Sequence, residues 1–153
     1  MVDQQLHNDN NEKLSQNAWV IFSGETDLPW LKFLKPGFRH CFVLMNDGER
    51  WMSIDPLSPY TEVQIYHHLN PSFDLPSWLE SRGYKICKAS INREQKKAAP
   101  PMMFTCVEAI KRLLGIHKRF VVTPWQLYQC LTNKAEKQIQ EDQFTKGELQ
   151  WVA

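Results

Sequence analysis

Charge of one sign is what this sequence fails to accumulate. Eighteen Lys and Arg stand against 17 Asp and Glu, a formal net charge of +1. No overall field therefore draws the chain toward nucleic acid or an anionic membrane. The basic pairs Lys96-Lys97, Lys111-Arg112 and Lys118-Arg119 are short and read as solvated faces. No stretch approaches the roughly 18 apolar residues of a membrane span. Residues 1–17 stay polar and offer no apolar run for a signal peptide, so a cytoplasmic location is expected. Cysteine is also sparse. The four present (Cys41, Cys87, Cys106 and Cys130) form no CxxC pair and no Cys/His cluster at zinc-ligand spacing. They are too few for a disulfide framework in a chain of 153 residues, which argues for reduced thiols. His67 and His68 are adjacent and diverge at a strand end, so no metal and no cofactor are expected.

What is present suits a single domain. Apolar residues make up 42%, and six Trp and eight Phe add large buried areas. Residues 1–17 read as disordered, 18–133 as the folded domain, and 134–153 as a polar tail or helix extension. Strands are expected at Trp19–Phe22, Phe38–Met45, Arg50–Asp55, Thr61–Tyr66, Tyr84–Ile91 and Phe120–Val122. Short helices are expected after Pro29 and over Leu75–Arg82. Thr105-x-x-Glu108 is a capping box opening a helix that Gly115 closes, and Thr123-Pro124 opens a last helix to about Leu131. Strands with interspersed helices and an Asp-Gly hairpin predict an α+β domain with a mainly antiparallel sheet.

Two places carry chemistry. If Asp47 and Gly48 are a two-residue type I′ turn, His40 and Asp55 stand directly opposite each other, on a face shared with Phe42, Leu44, Trp51 and Ser53. An Asp there fixes the imidazole tautomer and stabilises the imidazolium. Cys106 falls at the first position of the capped helix, where unpaired N–H groups and the macrodipole favour a thiolate. Its apolar neighbours Ile110, Leu113 and Leu114 imply that the helix packs on the sheet. Docking on the His40/Asp55 face would join thiol and imidazole. Cys41 points to the opposite face and reads as a core hydrophobe. Cys87 and Cys130 have no dipole or basic partner nearby. Taken singly, each residue has a structural reading: a buried small Cys, a strand His, a strand-ending Asp before Pro56. Their combination is what points to catalysis.

The stretches Phe38–Asp55, Phe104–Ile116 and Thr123–Tyr128 resemble the circularly permuted branch of the NlpC/P60 papain-like superfamily, in which the His-bearing strands precede the Cys-bearing helix. The resemblance spans roughly residues 18–132. It implies a papain-like sheet packed against a nucleophile helix, and a cysteine peptidase or amidase, with acyl transfer allowed. Cys106 would be the nucleophile, His40 the base and Asp55 the orienting residue. A peptide, cell-wall-peptide or other acyl-amide substrate follows, as does release by phage particle or lysis if the target is the wall. Oxyanion donors would be the Cys106 N–H and a second group, for which Trp19 and Ser23 are the candidates. The competing reading is a noncatalytic interaction or assembly protein on the same fold, which would gain if Trp30, Trp51 or Trp125 filled the groove.

Overall fold

Two largely apolar strands, β1 (Ala18–Ser23) and β2 (His40–Asn46), are buried along most of their length. Side chains alternate across a strand, so burial on both faces requires cover on both sides. The computed structural model, which describes residues 18–26, 28–92 and 104–149, supplies that cover. With β3 (Trp51–Pro56), β4 (Thr61–Tyr66) and β5 (Lys85–Ala89), these strands form one antiparallel sheet in the order β4-β3-β2-β1-β5. A 3-10 turn, Pro29–Phe33, lies between β1 and β2. Three α-helices complete an α+β fold: α1 (Leu75–Ser81), α2 (Cys106–Leu114) and α3 (Pro124–Leu149).

On one face Val20, Phe22, Cys41, Val43 and Ala89 pack against Val107, Ile110 and Leu114 of α2 and Leu127 and Leu131 of α3. Phe22, Phe38, Trp125 and Tyr128 extend this core as an aromatic cluster. On the other face Ile21, Leu44 and Trp51 pack beneath α1 through Leu75 and Leu79. β4 is the exposed edge.

The hairpin differs from the sequence expectation. Asn46 pairs with Trp51 and Val43 with Ile54, which leaves a four-residue loop, Asp47–Arg50. A type I′ turn needs positive φ at two central residues. Only Gly48 adopts it here, at 92°, and no described non-glycine residue does. Side chains build the turn instead: Asn46 Oδ1 accepts from the Gly48 N–H, and Asp47 Oδ1 accepts from the Glu49 and Arg50 N–H groups. The pairing therefore shifts by two residues, and Phe42 rather than His40 lies opposite Asp55.

Other expectations are corrected as well. Residues 120–122 are not a strand; of the two readings of the segment after residue 133, tail or helix extension, the extension is the one seen, with α3 running through Leu149. The capping box is half made. Thr105 Oγ1 accepts from the Glu108 N–H, but the Glu108 carboxylate turns to Lys111 and Arg112. Lys111 is consequently buried rather than solvated, its ammonium also donating to the Val121 carbonyl. The disorder expected of residues 1–17 lies outside the described residues. No helix among the described residues is long and apolar enough to cross a membrane.

Candidate active site

His40 opens β2, opposite Ser23 at the end of β1. Arg39 secures that junction: its N–H donates to the Ser23 carbonyl at 2.8 Å and its Nη1 to the Gly24 carbonyl at 3.2 Å. Asp55 lies near the end of β3, diagonal to His40 on the same face. Diagonal neighbours are farther apart than direct partners but stay within reach of longer side chains, and here His40 Nε2 meets Asp55 Oδ1 at 2.5 Å. The two side chains keep 20% and 26% of their exposure. With Nε2 engaged, Nδ1 is the ring nitrogen left for the thiol.

Cys106 reaches the pair by another route than the pleat suggests. α2 packs on the Cys41/Val43 face, whereas His40, Phe42 and Asp55 belong to the α1 face. The thiol meets the imidazole around the end of β2, where the strand runs out and neither face is closed. The reason lies in the burial of both faces: either could have taken the helix, and the face bearing Val20, Val43 and Ala89 complements Val107, Ile110 and Leu114.

The electrostatics favour a thiolate–imidazolium pair. Cys106 is brought from an ordinary 9.0 down to about 5. The largest cause is the Cys41 thiol, which donates to the Cys106 sulfur. Burial opposes ionisation, and the His40 hydrogen bond and charge together with the Cys41 backbone N–H outweigh it. For His40, burial pushes the imidazolium down, but hydrogen bonds to Asp55 and Cys106 prevail and raise it from 6.5 to about 9. Cys41 itself is driven well above the ordinary thiol range by complete burial, with the neighbouring Cys106 adding to the effect.

All three residues open into a cleft of about 980 Å³. Trp30 and Leu31 wall it on one side, Pro59 and Tyr60 on another, and Phe104 flanks the thiol. Trp30, Tyr60 and Phe104 are among the most exposed aromatic side chains described, so the rim is apolar and unpartnered. Trp51 is buried under α1, Trp125 stacks on Tyr128, and neither lines the cleft. Of the two oxyanion candidates, Trp19 packs on Trp51 away from the site. Ser23 lines the cleft, its Oγ accepting from the Glu25 N–H at 3.0 Å and so keeping its own proton free to donate. Among the described residues no group of three His, Cys, Asp or Glu could hold a metal ion.

Sequence reasoning therefore named the three residues that meet but missed Cys41 as their neighbour. No signal in the sequence pointed to it, since Cys41 nears the helix start only because α2 docks on the face opposite His40. No family model matches the chain, and no significant match was found among curated proteins or solved structures.

Proposed function

We propose that this protein is a cysteine hydrolase of the papain-like, circularly permuted NlpC/P60 kind, cleaving a peptide or other acyl-amide bond through a thioester. One observation carries the reading: Cys106 at a helix N-terminus beside His40, itself held by Asp55, at an open cleft. The Cys106 thiolate attacks the carbonyl carbon, and protonated His40 delivers its proton to the leaving amine. Water then attacks the thioester with neutral His40 as base, and the thiolate departs. The Cys106 N–H, unpaired at the first helical turn, and the Ser23 hydroxyl are the groups available to the oxyanion. The aromatic rim suits an extended chain with apolar groups flanking the scissile bond. Tryptophans filling the groove would have favoured the interaction-protein reading; Trp51 and Trp125 lie outside the cleft and Trp30 only walls it, which supports chemistry instead.

A mixed library of peptide and acyl-amide substrates tests this. Turnover should vanish in Cys106→Ala and His40→Ala while thermal melts persist, and rapid quenching should trap an acyl group on Cys106. Turnover by folded Cys106→Ala, or an acyl group on Cys87 or Cys130, would refute it.

A further inference from the structure

Cys41 makes and breaks no bond in the hydrolytic scheme, yet it donates to the nucleophile's sulfur. The β2 pleat turns it into the helix-side core, where it is completely buried and where Cys106 packs against the same cluster. Both its S–H and its N–H are directed to the Cys106 sulfur. Its backbone is open to do so, because the β2–β3 pairing stops at Val43 and Ile54 while the β1 side continues to His40. Cys106 opens to the cleft and Cys41 does not line it. An oxidant dissolved in the cleft therefore meets one sulfur first, with the second immediately behind it. Such an arrangement, an accessible thiolate backed by a second thiol, is that of a reversible oxidation site.

We propose that Cys106 is oxidised by a hydroperoxide and captured by Cys41 as an intrachain Cys41–Cys106 disulfide. In the first step the Cys106 thiolate attacks the distal peroxide oxygen. The O–O bond breaks, and the leaving hydroxide or alkoxide takes the His40 proton as water or alcohol, leaving a sulfenic acid. That product is neutral, so the negative charge that opposed ionisation of Cys41 is gone. The Cys41 thiol then attacks the Cys106 sulfur, the S–O bond breaks, and its proton passes through now-neutral His40 to the departing oxygen as water. The two thiols lose two electrons and the peroxide gains them. The other cysteines are badly placed. Cys87 sits on β5, two strands from β2, a spacing of about 10 Å. Cys130 lies on α3. The disulfide would close the nucleophile off, sparing it from irreversible sulfinic acid until a thiol reductant restores it.

This inference goes beyond hydrolysis and does not depend on it, since its readout is mass rather than turnover. The full chain is treated with a few equivalents of hydrogen peroxide, alkylated, digested and mapped. The expected product is a Cys41–Cys106 linked peptide, with the intact mass reduced by two hydrogens and Cys106 alkylation recovered by dithiothreitol. Cys41→Ser should instead carry Cys106 to the sulfinic acid, which dithiothreitol does not reverse, whereas Cys87→Ser should behave as wild type. Sulfinic acid at Cys106 in the wild-type chain, a disulfide through Cys87 or Cys130, or a Cys106 untouched by peroxide would each overturn the proposal. Should Cys41→Ser fail to fold, the wild-type map alone decides.

Discussion

Alkylation of Cys106 at acid pH puts the thiolate–imidazolium pair to a numerical test. Holding the thiol at about 5 rather than 9.0 favours its ionised form by about 5 kcal/mol. That does not make Cys106 faster at every pH, because a less basic thiolate is a weaker nucleophile. With a Brønsted slope of about 0.5, the lowered basicity costs roughly a hundredfold in intrinsic rate. At pH 7 an ordinary thiol is about 1% ionised and Cys106 nearly fully so, and the two effects cancel. At pH 6 the ionisation advantage grows to roughly 900-fold, for a net gain of about tenfold. At pH 5 the net gain is about fiftyfold. Iodoacetamide labelling across pH 4 to 9, read by peptide mass and referenced to a small thiol in the same tube, should show a Cys106 rate half-maximal near pH 5 and flat above. His40→Ala removes the imidazolium, and an adjacent opposite charge typically moves such a midpoint by about 1–3 pH units, here upward. A Cys106 rate that climbs steadily to pH 9, or one indifferent to His40, would refute the reasoning.

The same pair shapes stability. A raised His40 stabilises the fold fully below 6.5 and loses that contribution as pH rises through about 9. A lowered Cys106 contributes fully above 9.0 and loses its part as pH falls through about 5. Each needs the other's charge, so the melting-temperature difference between wild type and Cys106→Ala should peak between about 5 and 9 and shrink on both sides; a difference independent of pH would contradict the ion pair. Glu108→Ala strands the buried Lys111 ammonium, whose remaining protein partner is the Val121 carbonyl, and should cost about 3–5 kcal/mol in urea unfolding. A loss below about 1 kcal/mol would mean that the pair behaves like a solvated surface bridge. Gly115→Ala places a Cβ 2.0 Å from the Asn92 carbonyl oxygen at a φ of 71°, so it should destabilise by more than the 1–2 kcal/mol typical of a left-handed non-glycine residue. A neutral substitution in the same melt would show that this helix end relaxes freely.

Local chemistry in the sequence was enough for the ends of α2 and for naming the three residues that come together. Thr105 and Gly115 bound α2 as their side-chain and backbone preferences require. The hairpin register was not legible, because Asn46 and Asp47 can close a turn with side-chain acceptors as readily as Asp-Gly can with positive φ, and nothing in a single sequence weighs the two. The docking face was hidden for a different reason. β1 and β2 are apolar on both faces, so the alternation that orients a half-buried strand is missing. Tail and helix extension stayed open after residue 133 because Lys134, Glu136 and Lys137 are charged and exposed, and that stretch is helical by continuity with the first turns of α3. Lys111 was misread since a basic pair on a helix looks solvated until Glu108 is known to turn toward it.

That two of these expectations failed while the residues still met has a physical explanation. The direct His40–Asp55 pairing and the docking of α2 on their face would have placed the site over the middle of a covered sheet face, with little room for a substrate. The shifted register makes the pair diagonal and ends the β2–β3 ladder at Val43 and Ile54, so the two strands part beyond that point. β3 continues pairing with β4 through Asp55 and Pro56, and β2 continues with β1 through His40. Each side chain is thus held by a different neighbour while the gap between them stays open. The helix, docked on the opposite face, brings its N-terminus to that gap edge-on, so that thiol, imidazole and carboxylate converge where the ladder has ended and a cleft can form. Pro56, two residues past the last β2–β3 pair, has no N–H with which to carry that ladder further.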